Sequence, residues 1–267
     1  MNTKLSQKKF WNESYEKRKG ASYPNLSRYM YHFELDRIFK RCLTAGNNKN
    51  LIELGCGASI WLPYFSKTFG YNVFGIDYSE KGCELAKFNL KKNGVEGEII
   101  CEDFLTKKVK ELEGRFDIIV SMGVVEHFED PEKIIRQLAV YLKTGGKIVT
   151  VVPNLKGVIG VIQKMVNEKV YAIHKVFGLD ELVHYHRNGG INVTSSSYFD
   201  FMDLSMINMS NLSAKLQKNV LRTITLINFS ILWLSKIFNI SISNQKLCSY
   251  MVVVACKERG VENICAE

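Results

Sequence analysis

The stretch "LIELGCGASIW", Leu51 to Trp61, decides the fold. It opens as a short apolar run carrying one acid, Glu53, and reads as a buried strand. Gly55 and Gly57 follow, where such a strand must turn into a helix. Without a Cβ the backbone bends sharply and lets a ligand come close. The helix opening near Ser59 then offers free backbone N–H groups. Strand, two-glycine turn and helix start together hold a nucleotide-like ligand.

From Asn50 to about Pro153, short apolar runs alternate with helical patterns. Strands are expected at Leu51–Leu54, Tyr71–Ile76, Glu98–Cys101, Phe116–Ser121 and Lys147–Val152, with helices at Trp61–Phe69, Ser79–Lys92, Phe104–Leu112 and Pro131–Leu142. Asp130 caps the last helix and Pro131 supplies its pre-set first position. The Gly145-Gly146 pair is expected to stop it. This alternation predicts βαβ units in an α/β, doubly wound, Rossmann-like sheet covered on both faces.

The flanks differ. Residues 1–45 read as a helical lid, with Phe10, Trp11 and Tyr15 on one helix face, and 46–153 as the ligand-binding core. Residues 154–246 read as a helical cover over the crevice, with helices at Lys156–Phe177 and Leu179–His186 and one strand at about 191–201. Residues 247–257 form the last core strand and 258–267 a tail. Inside the cover, "VLRTITLINFSILWLSKIFNI" is nearly long enough to span a bilayer, but Arg222, Asn228 and Lys236 interrupt it. Lys218, Arg222, Thr225, Lys236 and Asn239 share a narrow stripe, so a well-buried amphipathic helix is expected. Its rival is a lid or a peripheral membrane contact through about 219–240.

Lys and Arg (36) exceed Asp and Glu (27), for a net charge of +9. The basic residues are scattered and interleaved with Glu, as in "KKVKELEGR", which describes a solvated surface rather than a nucleic-acid arm. The cysteines (Cys42, Cys56, Cys83, Cys101, Cys248, Cys256, Cys265) are odd in number and lack a C-x-x-C pair. That argues against a disulfide framework and a structural zinc site. The first twenty residues hold no apolar core of a secretory signal, so a reduced, cytoplasmic location is expected.

Four features narrow the ligand. A dinucleotide-binding turn wants a third glycine where this chain has Ile60. Glu53, just before the first glycine, is badly placed for a pyrophosphate and well placed for an ammonium group. Asp77 ends "VFGID", where a carboxylate accepts from both ribose hydroxyls. Asp103 in "CEDF" is placed to accept from an adenine amino group, between the faces of Phe104 and Tyr78.

With these residues in hand, 48–153 resemble the core of class I S-adenosylmethionine-dependent methyltransferases. "ELGCGAS" is similar to their motif I, "GIDYS" to the ribose-binding acid, "CEDF" to the adenine-binding acid, "FDIIVSMGVVEHFEDP" to the strand-four motif and "LKTGGKIVTVVPN" to the strand-five segment. The third glycine of motif I is replaced by Ser59. The resemblance implies a seven-stranded, mostly parallel sheet with an antiparallel last strand, Cys248–Val254. It further implies that S-adenosylmethionine is bound by Glu53, Gly55, Cys56, Gly57, Asp77, Tyr78, Asp103, Phe104, Ser121 and Met122.

The acceptor side is less marked. "SMGVVEHFEDP" puts Glu126 and His127 at the reaction centre, and a histidine of ordinary pKa can serve as base near neutral pH. This tract, with "KVFGLDELVHYHRNG", resembles the ubiquinone-biosynthesis O-methyltransferase branch, where Glu-x-x-Glu-His has been linked to a divalent metal. Here the first of those carboxylates is Gly123, and no metal is expected. Trp11, Tyr15, Asn154, His174, His184 and Tyr185 are candidates to line the acceptor pocket. "SMGV" is unlike the [DNS]-P-P-[YFW] tetrad of enzymes that methylate nucleic-acid amino groups. The expected acceptor is a small, lipophilic molecule, methylated at oxygen. N- or C-methylation, or a sugar or lipid-carrier acceptor, stands as the alternative. A nicotinamide-dependent oxidoreductase or a non-catalytic cofactor-binding partner is the reading from another class.

Overall fold

A computed structural model describes residues 4–16, 21–238 and 242–258. Asn239, the end of the 219–240 segment, Cys265 and nearly all of the expected tail lie outside those residues. Seven strands form one sheet: β1 (Asn50–Leu54), β2 (Asn72–Asp77), β3 (Gly97–Cys101), β4 (Phe116–Met122), β5 (Leu142–Pro153), β6 (Asn192–Phe201) and β7 (Cys248–Cys256), in the order β3-β2-β1-β4-β5-β7-β6. Strands β1 to β5 are parallel, and β7 runs antiparallel between β5 and β6.

The apolar runs are continuous because both faces of the sheet are covered. Ile52 and Leu54 enter one core with Ile119 and Ile134, while Leu51 enters the other with Val120, Phe39 and Phe65. From β1 the chain builds outward to β2 and β3, then returns across β1 to β4. The helices after β1 and β4 therefore diverge and open a crevice at the strands' C-terminal ends.

Helices α1 (Lys8–Glu16) and α2 (Met30–Cys42) precede β1, and between the strands lie α3 (Trp61–Phe69), α4 (Glu80–Lys92), α5 (Pro131–Val140), α6 (Val158–Val166), α7 (Glu168–Ala172), α8 (Leu179–Asn188) and α9 (Ala214–Phe238). Side-chain caps fix the starts of α4 and α5. Ser79 Oγ accepts from Gly82 N at 3.0 Å, and Asp130 Oδ1 accepts from Lys133 N at 3.0 Å ahead of Pro131.

Three expectations change. The Gly145-Gly146 pair does not stop α5, which ends at Val140; it lies inside β5, with Gly145 at φ 78°, and bonds Lys257 beyond the end of β7. The helix expected at Phe104–Leu112 is a tight turn over Lys107–Leu112, because Asp103 accepts from Leu105 N and draws the chain into a bend first. The long helix expected at Lys156–Phe177 breaks in two at Asn167, whose Oδ1 accepts from Val170 N at 3.3 Å and starts α7.

Lys4, Ser6, Trp11, Ser14 and Tyr15 of the N-terminal segment line the crevice, and the segment is tied to both rims. Lys4 pairs in a β-bridge with Phe128, and Leu5 N donates to His127 O at 2.8 Å. On the opposite rim Asn12 Oδ1 accepts from Ser79 Oγ at 2.6 Å, and Lys8 pairs with Glu80.

Helix α9 departs furthest from expectation. It rests on α2 and the Leu204–Met206 turn by a narrow seam of Ile224, Leu232 and Ser235, and its broad apolar face points outward. None of its residues lines the crevice.

Candidate active site

A cavity of about 940 Å³ opens at the ends of β1, β2 and β4 beneath α1. Its cofactor wall begins at the glycine turn. Gly55 has φ 71°, and a Cβ there would stand 2.5 Å from Val124 Cγ2. Gly57, at φ 45°, donates its N–H to Asp77 Oδ2 at 2.8 Å, while Ser79 N donates to Oδ1 at 2.7 Å. Two backbone donors thus aim the Asp77 carboxylate and leave a lone pair on each oxygen. Burial still raises its pKa, with those same donors opposing.

Glu53 is buried in the wall and accepts from Ser59 Oγ, which in turn accepts from Trp61 N and Leu62 N at 3.1 Å. One hydroxyl therefore caps α3 and orients the acid. Burial pushes Glu53 up to about 8 despite that bond, and the Asp77 charge adds to the rise. A cationic ligand beside it favours the ionised form, so binding and deprotonation are coupled here.

Cys56, Tyr78, Phe104 and Met122 also line the cavity. Three expected cofactor residues do not. Gly57 is shielded by Tyr15, whose hydroxyl would meet a Cβ at 1.9 Å. Ser121 is fully buried below the floor. Asp103 lies outside the lining, one oxygen engaged by Lys4 and the other accepting from Leu105 N at 3.0 Å. Lys4 also sits 4.3 Å from the centre of the Tyr78 ring, so the lid reaches across the edge of the expected adenine slot.

On the acceptor side the structure gathers Trp11, Tyr15, Glu126, His127 and His174 in the cavity wall. His127 Nδ1 lies 2.9 Å from Ile173 O, and its ring packs against Trp11 at 5.1 Å and His174 at 4.5 Å. The carbonyl keeps the proton on Nδ1, and burial lowers the ring to about 3, so His127 is neutral near pH 7. Glu126 contrasts with it. Its Oε2 is buried with no hydrogen-bond partner among the described residues, and burial pushes its carboxyl up to about 8.

Asn154, His184 and Tyr185 do not reach the cavity. Asn154 is fully buried and ties strand ends, its Nδ2 donating to Gln245 O at 2.6 Å and Cys248 O at 2.9 Å. His184 is near Asn188 on the outer side of α8, and the Tyr185 ring packs edge-on to Phe177 at 5.6 Å. Both face away because α8 packs against α5 and β6, not over the crevice.

Sequence reasoning missed Tyr31 and His32 of α2, Met206 and Tyr250 of β7. The Tyr31 and Tyr250 rings stand 4.4 Å apart, both phenols held well above their ordinary pKa by burial and neighbouring acids. A hydroxylated ring at the start of the apolar run "YMVVVAC" was the available signal for Tyr250. Tyr31 carried none.

The sheet order, the glycine turn and the acids at successive strand ends define an α/β enzyme that binds an adenosyl cofactor in its crevice. Residues 27–199 match the family described as "Methyltransferase domain", well over half of the chain, and the chain belongs to that family. That family implies S-adenosylmethionine as cofactor, and the residues present fit it: Glu53, Gly55 and Asp77 line one wall of the cavity, with the Asp77 carboxylate aimed by two backbone donors.

A ubiquinone biosynthesis O-methyltransferase of Cupriavidus pinatubonensis is 28% identical over 170 residues, which cover 60% of this chain and 66% of that one. One of the same name from Coxiella burnetii is 33% identical over 102 residues, 38% of this chain and 42% of its own length. The chain thus spans two thirds or less of the relatives it matches. A solved S-adenosylmethionine-dependent methyltransferase of Thermotoga maritima superimposes with a TM-score of 0.57 at 18% identity, covering 94% of this chain and 98% of its own; that likeness is one of fold.

Proposed function

We propose that this methyltransferase acts on an oxygen of a small, lipophilic acceptor and that Glu126 takes the acceptor's proton. The observation that carries this reading is the Glu126 carboxyl, buried in the cavity wall with one oxygen unpartnered and a pKa of about 8. A base of that strength suits a phenolic or enolic hydroxyl near neutral pH. The bound cofactor supplies a methyl group on a positively charged sulfur. The chain's task is to hold the acceptor oxygen in line with that methyl, exclude water and receive the proton.

Tyr31, Tyr250, Trp11 and Met206 supply a flat, largely apolar wall for such an acceptor. Gly123, at φ 69°, leaves the corner beside Glu126 open, since even a Cβ there would stop 3.7 Å from Oε1. His127 is too weak a base for the role; it packs the wall and fixes the turn carrying Glu126. The names of the curated relatives support oxygen as the acceptor atom. An amine is the second reading, because a buried carboxyl framed by aromatic rings also suits a cation.

Incubation with methyl-labelled cofactor and a panel of phenols, carboxylic acids and amines tests the proposal by mass spectrometry. Gain of one methyl on the hydroxyl compounds is expected. Methylation of amines alone defeats it.

A further inference from the structure

Helix α9, the longest helix among the described residues, contributes nothing to the crevice. Its inner seam packs on the body: Ile224, Leu232 and Ser235 are buried, Asn228 Nδ2 donates to Asp203 Oδ1 at 2.7 Å, and Lys236 Nζ donates to Leu26 O at 2.9 Å. Opposite that seam, at spacings of three and four, stand Leu226, Phe229, Trp233 and Ile237, from 52% to 70% exposed. Phe238 adds a third exposed ring at 64%. A soluble surface rarely leaves so continuous an apolar stripe uncovered. The same outward side changes character toward the N-terminus, where Lys215, Lys218 and Arg222 are exposed, and the helix carries no acid anywhere.

We infer that α9 is a membrane-contact helix that lays this methyltransferase on an anionic lipid bilayer. Charge chooses the occupant. A second copy pairing through α9 would set bases against bases in parallel, or against bare apolar surface in antiparallel register. An anionic bilayer satisfies both halves: headgroups meet Lys215, Lys218 and Arg222, and the acyl boundary takes Leu226, Phe229, Trp233 and Ile237. The helix is long and apolar enough to cross a membrane by composition, but its seam is held to the body, so it lies in the interface.

The contact also has a direction. Helix α9 sits on α2 and the Leu204–Met206 turn, which supply Tyr31, His32 and Met206 to the cavity's acceptor side. Docking there sets that side of the cavity near the bilayer, where a lipophilic acceptor would be concentrated.

The experiment is co-sedimentation of the full chain with phosphatidylcholine vesicles, with and without phosphatidylglycerol, alongside size-exclusion chromatography. Binding on the order of tenfold stronger to the anionic vesicles, weakened by salt, is expected. Leu226→Glu with Trp233→Glu should abolish it, and Lys218→Glu with Arg222→Glu should remove the preference for anionic lipid. Retained cofactor binding shows that each variant folds. Three results overturn the inference: no vesicle binding, binding unchanged in the variants, or a dimer that the apolar variant breaks without any vesicle binding. Because no acceptor or turnover is involved, vesicle binding succeeds or fails independently of the oxygen-methylation reading.

Discussion

The two halves of the crevice are built by different rules. The cofactor half is local: Glu53 and Gly55 come from one strand end, and Asp77 from the next strand in sequence. Its acids are held by near neighbours, Glu53 by Ser59 and Asp77 by the backbone of Gly57 and Ser79. The acceptor half is assembled from afar: Tyr31 from α2, Glu126 after β4, Met206 before α9 and Tyr250 from β7. Its central acid has an unpartnered oxygen. The cofactor half is finished before any ligand arrives, whereas the acceptor half keeps an unmet hydrogen-bonding demand that an acceptor can satisfy.

The sharpest way to break this contrast is Glu126→Gln, which keeps shape and removes the base. Methyl transfer to a hydroxyl should fall by about 10²- to 10⁴-fold, the usual worth of a placed base, with cofactor affinity little changed. The wild-type rate should climb as pH rises through about 8, because the base acts in its ionised form, and the variant should lack that limb. A flat wild-type profile would remove Glu126 from the chemistry.

Next in size is Asp77→Ala on the cofactor side. If Asp77 accepts from both ribose hydroxyls, as its place at the strand end implies, its loss should weaken S-adenosylmethionine at least about tenfold, or roughly 1.5–3 kcal/mol, by isothermal titration. Unlike Glu126→Gln, it should change affinity more than the rate at saturating cofactor. Equal losses in both parameters for both variants would erase the distinction between the halves.

The same contrast explains what could be read in the sequence. A glycine turn and an acid at a strand end are local patterns, so Gly55, Asp77 and the strand alternation around them were legible. The antiparallel last strand came through family resemblance. The acceptor wall was not legible, because nothing near Tyr31 in sequence says that α2 carries it to within 4.4 Å of Tyr250. Asn154 misled for the complementary reason: its place at a strand end pointed to the crevice, but two carbonyls from the approach to β7 claimed its side chain. For α9 the periodicity was plain, and which face would find a partner was not.

A smaller effect concerns an acid outside both halves. Asp200 is buried at φ 62°, and neither oxygen has a hydrogen-bond partner among the described residues. Burial, then the Asp203 and Glu34 charges, raise its pKa well above the ordinary value. A raised acid holds a proton in the folded state that the unfolded chain releases, so its contribution is full below the unfolded pKa and is lost as pH rises. Asp200→Asn removes that titration and supplies a donor toward Asp203. It should stabilise the fold by about 1 kcal/mol, more at pH 8 than at pH 5, in thermal melts. A variant that melts lower at pH 8 would show that the carboxylate is wanted there.

The smallest expected effect tests whether the lid belongs to the cofactor half. Lys4 pairs with Asp103 across the edge of the expected adenine slot, both side chains about a quarter exposed. A carboxylate has lone pairs for the lysine, for Leu105 N and for an adenine amino group at once, so the pair can act as a latch over bound cofactor. Partly exposed ion pairs are worth less than about 1 kcal/mol. Lys4→Ala should therefore speed cofactor release only a few-fold in stopped-flow measurements, with the difference shrinking as salt is raised. Tighter binding in the variant would mean the opposite, that Lys4 competes with adenine for Asp103 and the lid must lift before the cofactor can seat.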